Sequence, residues 1–139
     1  MNAGVGRRFA ALLYDALLVL AFLLLYTALA LFASHGKALI RQNVGAWVYL
    51  YYVGELGIIA TYYVVSCRRT GHTLGMRAWR LRVQGEDGAP PSTMQLLLRW
   101  AVGVFAWAAG GLGVLWLYLD PDGLAWQDRL SRTRVVRLA

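Results

Sequence analysis

Three long stretches of this chain are almost free of charge. Residues 9–33 contain only Asp15, residues 45–67 only Glu55, and residues 96–119 only Arg99. A helix that crosses a bilayer takes about 20 apolar residues, so each stretch is long enough. None carries the polar stripe that a helix on a soluble domain turns to water. At 139 residues the chain is a single domain. It is 59% hydrophobic and only 15% charged, more apolar side chain than a core of this size can cover when a small domain buries about 70% of its surface. The expected fold is an all-α integral membrane protein with three apolar helical segments.

The first segment begins like a cleaved leader, with Arg7-Arg8 before it and Ala28-Leu29-Ala30 near its end. A leader's apolar core is about 7–15 residues, whereas this one runs to 25 and holds Asp15, so it is read as an uncleaved anchor. Trp47, Tyr49, Tyr51 and Tyr52 open the second segment, and Tyr62 and Tyr63 lie near its far end. Such rings suit a membrane interface, apolar in the body and wet at the tip, or serve simple helix packing.

The net charge of +7 would suggest nucleic acid in a soluble protein. Here the basic residues flank apolar runs, which points to topology and anionic lipid instead, and no nucleic-acid binding is expected. Arg7 and Arg8 precede segment one, Lys37 and Arg41 fill the first loop, and Arg68, Arg69, Arg77, Arg80 and Arg82 fill the second. Arg129, Arg132, Arg134 and Arg137 lie in the tail. Basic loops stay cytoplasmic. If segment three spans once, seven of these residues lie inside and six outside, which is no bias; if it doubles back, eleven face two. The glycines of Ala108-Ala109-Gly110-Gly111-Leu112-Gly113 permit a sharp bend. Segment three is therefore expected to be bent or re-entrant, with both chain ends cytoplasmic. Leu81-Arg82-Val83-Gln84 before the Gly85–Gly88 turn, and Thr133–Leu138, alternate like short strands. They can pair as a small cytoplasmic cap if they share a side.

Little here suggests chemistry on a substrate. Cys67 is a lone cysteine, and His35 and His72 are far apart, so neither a disulfide nor a metal site is expected. No nucleophile elbow, zinc helix or phosphate loop is present. The chain is read as a non-enzyme without a cofactor.

Taken in order, the landmarks resemble the RDD family of bacterial membrane proteins. Arg7-Arg8-Phe9-Ala10-Ala11-Leu12-Leu13-Tyr14-Asp15 looks like the family's opening, with Arg8 and Asp15 as its arginine and first aspartate. Gly71-His72-Thr73-Leu74-Gly75-Met76-Arg77 and Leu81-Arg82-Val83 resemble its central loop. Gln127-Asp128-Arg129-Leu130-Ser131-Arg132-Thr133-Arg134-Val135-Val136 resembles its terminal motif, with Asp128 as the second aspartate. The chain departs at His72 (usually Gln), Met76 (usually Lys), Gln127 (usually His) and Arg132 (usually Gly). The resemblance implies a multi-pass protein of the bacterial inner (plasma) membrane, with transport or partnership with other membrane proteins as its role.

Ionisable groups within a bilayer are costly and persist when paired, hydrated or facing a partner. Arg8 and Asp15 are seven residues apart, hence on one face of a helix and about 10 Å apart along it. They frame a polar site, or Arg8 snorkels to headgroups while Asp15 pairs with Arg99. Glu55, between Gly54 and Gly57, either exchanges a proton or cation or makes one interhelical hydrogen bond. Asp128 either joins Arg8 and Asp15 in a cluster or caps a short helix. Two functions follow. One is transport of a cation or proton by a homo-oligomer, using Glu55 and Arg99. The other is a scaffold or binding subunit whose basic loop, Arg68, Arg69, Arg77, Arg80 and Arg82, docks a partner protein or anionic lipid.

Overall fold

The structure, a computed structural model, describes residues 4–33 and 45–138. The first loop, with His35, Lys37 and Arg41, lies outside the described residues, as does the side chain of Trp47. Two long helices dominate: α1, Val5–Ala33, and α2, Ala46–Thr70. Both are long and apolar enough to cross a membrane, and most of their large apolar side chains are exposed. In water that surface would drive aggregation; in lipid it needs no cover. Gly54 of α2 leaves room for the Tyr26 ring, whose Cζ would lie 3.0 Å from an added Cβ, whereas Gly57 faces open space.

The third apolar segment bends. Helix α4, Thr93–Ala108, starts with a capping box in which Ser92 and Gln95 exchange side-chain-to-backbone hydrogen bonds. Its 16 residues span about 24 Å, short of the ~30 Å hydrocarbon thickness. Gly110 and Gly111 follow, both at positive φ (71° and 81°), where glycine carries no Cβ penalty. The chain turns 108° into α5, Leu112–Leu115, and a 3-10 turn, Trp116–Tyr118. Gly113 lets this return arm close on α4, since a Cβ there would sit 2.5 Å from that of Ala106. Asp120-Pro121-Asp122-Gly123 then forms a turn, with Asp120 accepting the Leu124 N–H at 2.9 Å.

After that turn the chain comes back to the end it left. Helix α6, Trp126–Ser131, packs on α4. Strand β2, Thr133–Arg137, pairs antiparallel with β1, Leu81–Gly85, in register Val83↔Val135. The alternation of the two stretches shows in their burial, with Leu81, Val83, Thr133 and Val135 inward. One element was not anticipated: the basic loop holds a helical turn, α3, Leu74–Ala78, capped by the Thr73 side chain. The elements α3, β1, α6 and β2 form a cap over the N-terminal ends of α1 and α4 and the C-terminal end of α2. The core, Ala11, Cys67, Leu81, Val83, Leu96 and Val135, lies at that junction.

Arg132 closes α6 in the left-handed conformation, φ 51° and ψ 44°. That explains why a glycine usually stands at this position of the motif, because a side chain there is strained by about 1–2 kcal/mol. The Arg132 side chain is exposed. Arg132→Gly is expected to stabilise the protein by about 1 kcal/mol, read as a raised thermal midpoint in detergent.

Candidate functional site

The first helix brings Arg8 under the cap, α4 brings Arg99 from its second turn, and α6 brings Asp128 from its N-terminal turn. The three meet. Arg8 Nη1 lies 2.7 Å from Asp128 Oδ2, and Arg99 Nη1 lies 2.6 Å from Asp128 Oδ1. Asp128 is fully buried, with Arg8 and Arg99 only 9% and 4% exposed. Around this triad the polar atoms find further partners. Arg99 Nη1 donates to Thr133 Oγ1 at 2.9 Å, Thr133 and Ser131 share a hydroxyl hydrogen bond of 2.6 Å, and the Ala125 N–H donates to Asp128 Oδ2 at 3.2 Å. The last contact satisfies a free N–H at the start of α6. Asp128 thus joins Arg8 as suggested, but with Arg99 in place of Asp15 as the third member, and it also accepts at the start of α6.

Burial by itself would raise the Asp128 carboxyl. The guanidiniums of Arg99 and Arg8, with the hydrogen bonds from Arg99 and Ala125, outweigh it and hold the group below its ordinary value. Away from the triad, the largely covered Asp120 pairs with the exposed Arg129 at 2.6 Å, and Asp122 lies 3.1 Å from the same arginine.

Asp15 is placed differently from the expectation. It does not pair with Arg99, which Asp128 occupies. Instead it receives three hydrogen bonds on the α1 side of the cap: from Tyr62 Oη at 2.8 Å, from the Gly75 N–H at 2.9 Å, and from Thr73 Oγ1. It therefore ties α1 to α2 and to the first turn of α3. Gly75 is required for this approach, since a Cβ would lie 2.8 Å from Asp15 Cγ and collide with the Ala11 carbonyl. Nor does Arg8 snorkel to headgroups; the cap covers it because α6 supplies a carboxylate there. Glu55 stands apart, half-buried on α2 and hydrogen-bonded to Tyr51, whose hydroxyl lies 2.6 Å from Thr27 Oγ1.

Between α1, α2, α4 and the cap lies a cavity of about 470 Å³. Its polar end has Arg8, Asp15, Tyr62, Thr73, Arg99 and Gln127, and apolar side chains line the rest. Sequence reasoning did not foresee Tyr62, Thr73 or Gln127 as members. Thr73 is a residue type that caps helix starts, but the convergence of these side chains on α1 is tertiary.

Such an arrangement defines a helical membrane protein in which one arginine near the N-terminus and two acidic residues, one in each half of the chain, fasten a cap to the helix ends. The chain belongs to the RDD family, whose model matches residues 2–132. Comparison with curated proteins and with solved structures gave no match.

Removing one partner of a buried ion pair leaves an uncompensated charge and destabilises by about 3–5 kcal/mol. Asp128→Asn is expected to fall in this range, detected as a large loss of thermal stability in detergent. Because the folded-state carboxyl is depressed, its contribution is complete above the unfolded-state value near ~3.9 and is lost as pH falls through the folded value. The wild type should therefore lose stability below about pH 4 more steeply than Asp128→Asn. Gly75→Ala should detach α3 from α1, read as faster amide exchange at residues 73–78.

Proposed function

We propose that this protein is a multi-pass scaffold or binding subunit of the bacterial inner membrane that holds a cationic cap against anionic lipid headgroups. The observation that carries this reading is a division of labour among the charges. Arg8, Arg99 and Asp128 satisfy one another in the interior, while Arg68, Arg69, Arg77, Arg80 and Arg82 are all exposed on the cap and the adjoining end of α2. A cytoplasmic cap, with both chain ends on that side, satisfies the basic-loop rule. Each such arginine near an anionic leaflet is worth about 1 kcal/mol. The locked triad supports a fixed platform more than a conduit, because its ions are already committed to each other.

A second reading, transport of a proton or cation by a homo-oligomer, draws support from Glu55. It lies outside the triad and between Gly54 and Gly57, at mid-helix among Tyr51 and Thr27. Glu55→Gln separates the two: flux into proteoliposomes should fall only if the transport reading holds.

The lipid reading is tested with Arg69→Gln, Arg77→Gln and Arg80→Gln combined; Arg68 is spared because it also donates to the Pro91 carbonyl at 3.0 Å. The wild type, extracted with its surrounding lipid from mixed bilayers, should be enriched in anionic over zwitterionic species, and the triple variant should lose that enrichment. Equal enrichment in both would remove the proposal.

A further inference from the structure

Positive charge is left unbalanced where α2 ends. Arg68 and Arg69 stand on its last turn, and Arg82 stands on β1. All three line a second, small cavity of about 110 Å³, to which no acidic residue contributes. Among the described residues none of the three forms an ion pair.

The groups inside the protein that attract cations here are already engaged. Carbonyls at a helix's C-terminal end carry partial negative charge. The Ser66 carbonyl accepts from Thr70 Oγ1 at 2.8 Å, the Cys67 carbonyl from the Gly71 N–H at 2.9 Å, and the Gly71 carbonyl from the Val83 N–H at 2.7 Å. Asp87 turns to its own loop, where Oδ1 accepts the Ala89 N–H at 3.1 Å. Arg68 makes one contact within the protein, donating to the Pro91 carbonyl at 3.0 Å, which fixes its position at the rim. Arg82 lies across the left-handed cap of α2: a Cβ added at Gly71 (φ 79°) would sit 2.7 Å from its Nε. In β1, Arg82 and Gln84 share the face opposite Leu81 and Val83. Gln84 is half-buried and lines the same cavity, and its amide makes no hydrogen bond among the described residues.

Three guanidiniums and a neutral amide around so small a space suit a compact anion with several acceptor oxygens. Guanidinium forks match phosphate oxygens in pairs. A phosphate monoester brings three such oxygens and a charge of about −1.5 to −2 at pH 7, whereas a diester brings fewer oxygens and a single charge. The depth is also right for a headgroup. The 25 residues of α2 reach about 37 Å, beyond a hydrocarbon layer of ~30 Å, so its arginine-bearing last turn stands among headgroups. Basic pockets at that level are suited to phosphorylated headgroups.

We propose that this cavity is a one-to-one site for a terminal phosphate monoester, with Arg68, Arg69 and Arg82 taking its oxygens and Gln84 serving as a neutral donor. The proposal rests on the reading of the cap as facing anionic headgroups, and narrows a diffuse attraction to one seat.

The test is native mass spectrometry of the full chain released from mixed bilayers of phosphatidic acid, phosphatidylglycerol and phosphatidylcholine with matched acyl chains. One phosphatidic acid should be retained per chain, favoured about tenfold over phosphatidylglycerol; tenfold corresponds to about 1.4 kcal/mol. Arg82→Gln should abolish that preference with the thermal midpoint unchanged. Gln84→Glu, which puts a carboxylate of the same shape into the site, should do the same. Arg77→Gln, outside the cavity, should leave the preference intact. Glycerol 3-phosphate identifies the source: displacement of the lipid assigns the site to free phosphate monoesters as well, and retention of the lipid assigns it to a headgroup, with the monoester chemistry supported by either. Equal retention of phosphatidic acid and phosphatidylglycerol, both above phosphatidylcholine, would overturn this site and leave the lipid-facing cap standing. Equal retention of all three would remove both. A phosphatidic acid preference that survives Arg82→Gln and Gln84→Glu would place the phosphate elsewhere and overturn the proposal.

Discussion

Everything at the capped end of this protein depends on one buried carboxylate. Asp128 has no access to solvent and sits between two guanidiniums contributed by different helices. A lone arginine near the interior of α1 or α4 would be expensive to desolvate, and so would the aspartate. Together they exchange that expense for short, charge-assisted contacts whose geometry is demanding. The consequence is positional: α1, α4 and α6 can meet in one arrangement, and β2, which follows α6 directly, is delivered to β1. The hydroxyls of Ser131 and Thr133 extend the network into the strand, so the last motif of the chain acts as one unit, carboxylate, helix end and strand start together.

Asp15 performs the complementary task on the other side of the same junction. Its three acceptor contacts bind the α2 side chain Tyr62 and the Thr73–Gly75 turn. The glycine at 75 is explained by the backbone approach of α3 to Ala11, a close packing that any side chain would prevent. The two aspartates thus have different jobs. One neutralises buried cations, and the other satisfies backbone and hydroxyl donors at a helix start. The return arm adds a third constraint. Backbone that leaves a helix at membrane depth must be shielded by protein, and α5 meets that need by packing Gly113 and Val114 back against α4 and the cavity.

Much of this was legible in the residues. The apolar runs reported α1 and α2 to within a few residues, because length and hydropathy alone decide whether a helix suits lipid. The bend at Gly110-Gly111 and the β1–β2 pairing were also readable, since glycine and alternation are local signals. Other features were not. Nothing local distinguishes an Asp15 that pairs with Arg99 from one that receives Tyr62, Thr73 and Gly75, since both satisfy the same carboxylate. The short helix α3 escaped notice because five residues give too few turns for periodicity to register.

The sequence by itself determined that this chain is a helical membrane protein, that its third apolar segment turns back, and which charges must find partners, because these follow from composition, spacing and the cost of ions in lipid. Only the tertiary structure decided the partners: Arg8 and Arg99 with Asp128, and Asp15 with Tyr62 and the α3 turn. Pairing across 29 to 120 residues of chain is set by how helices and cap pack as bodies, and no local preference encodes that geometry.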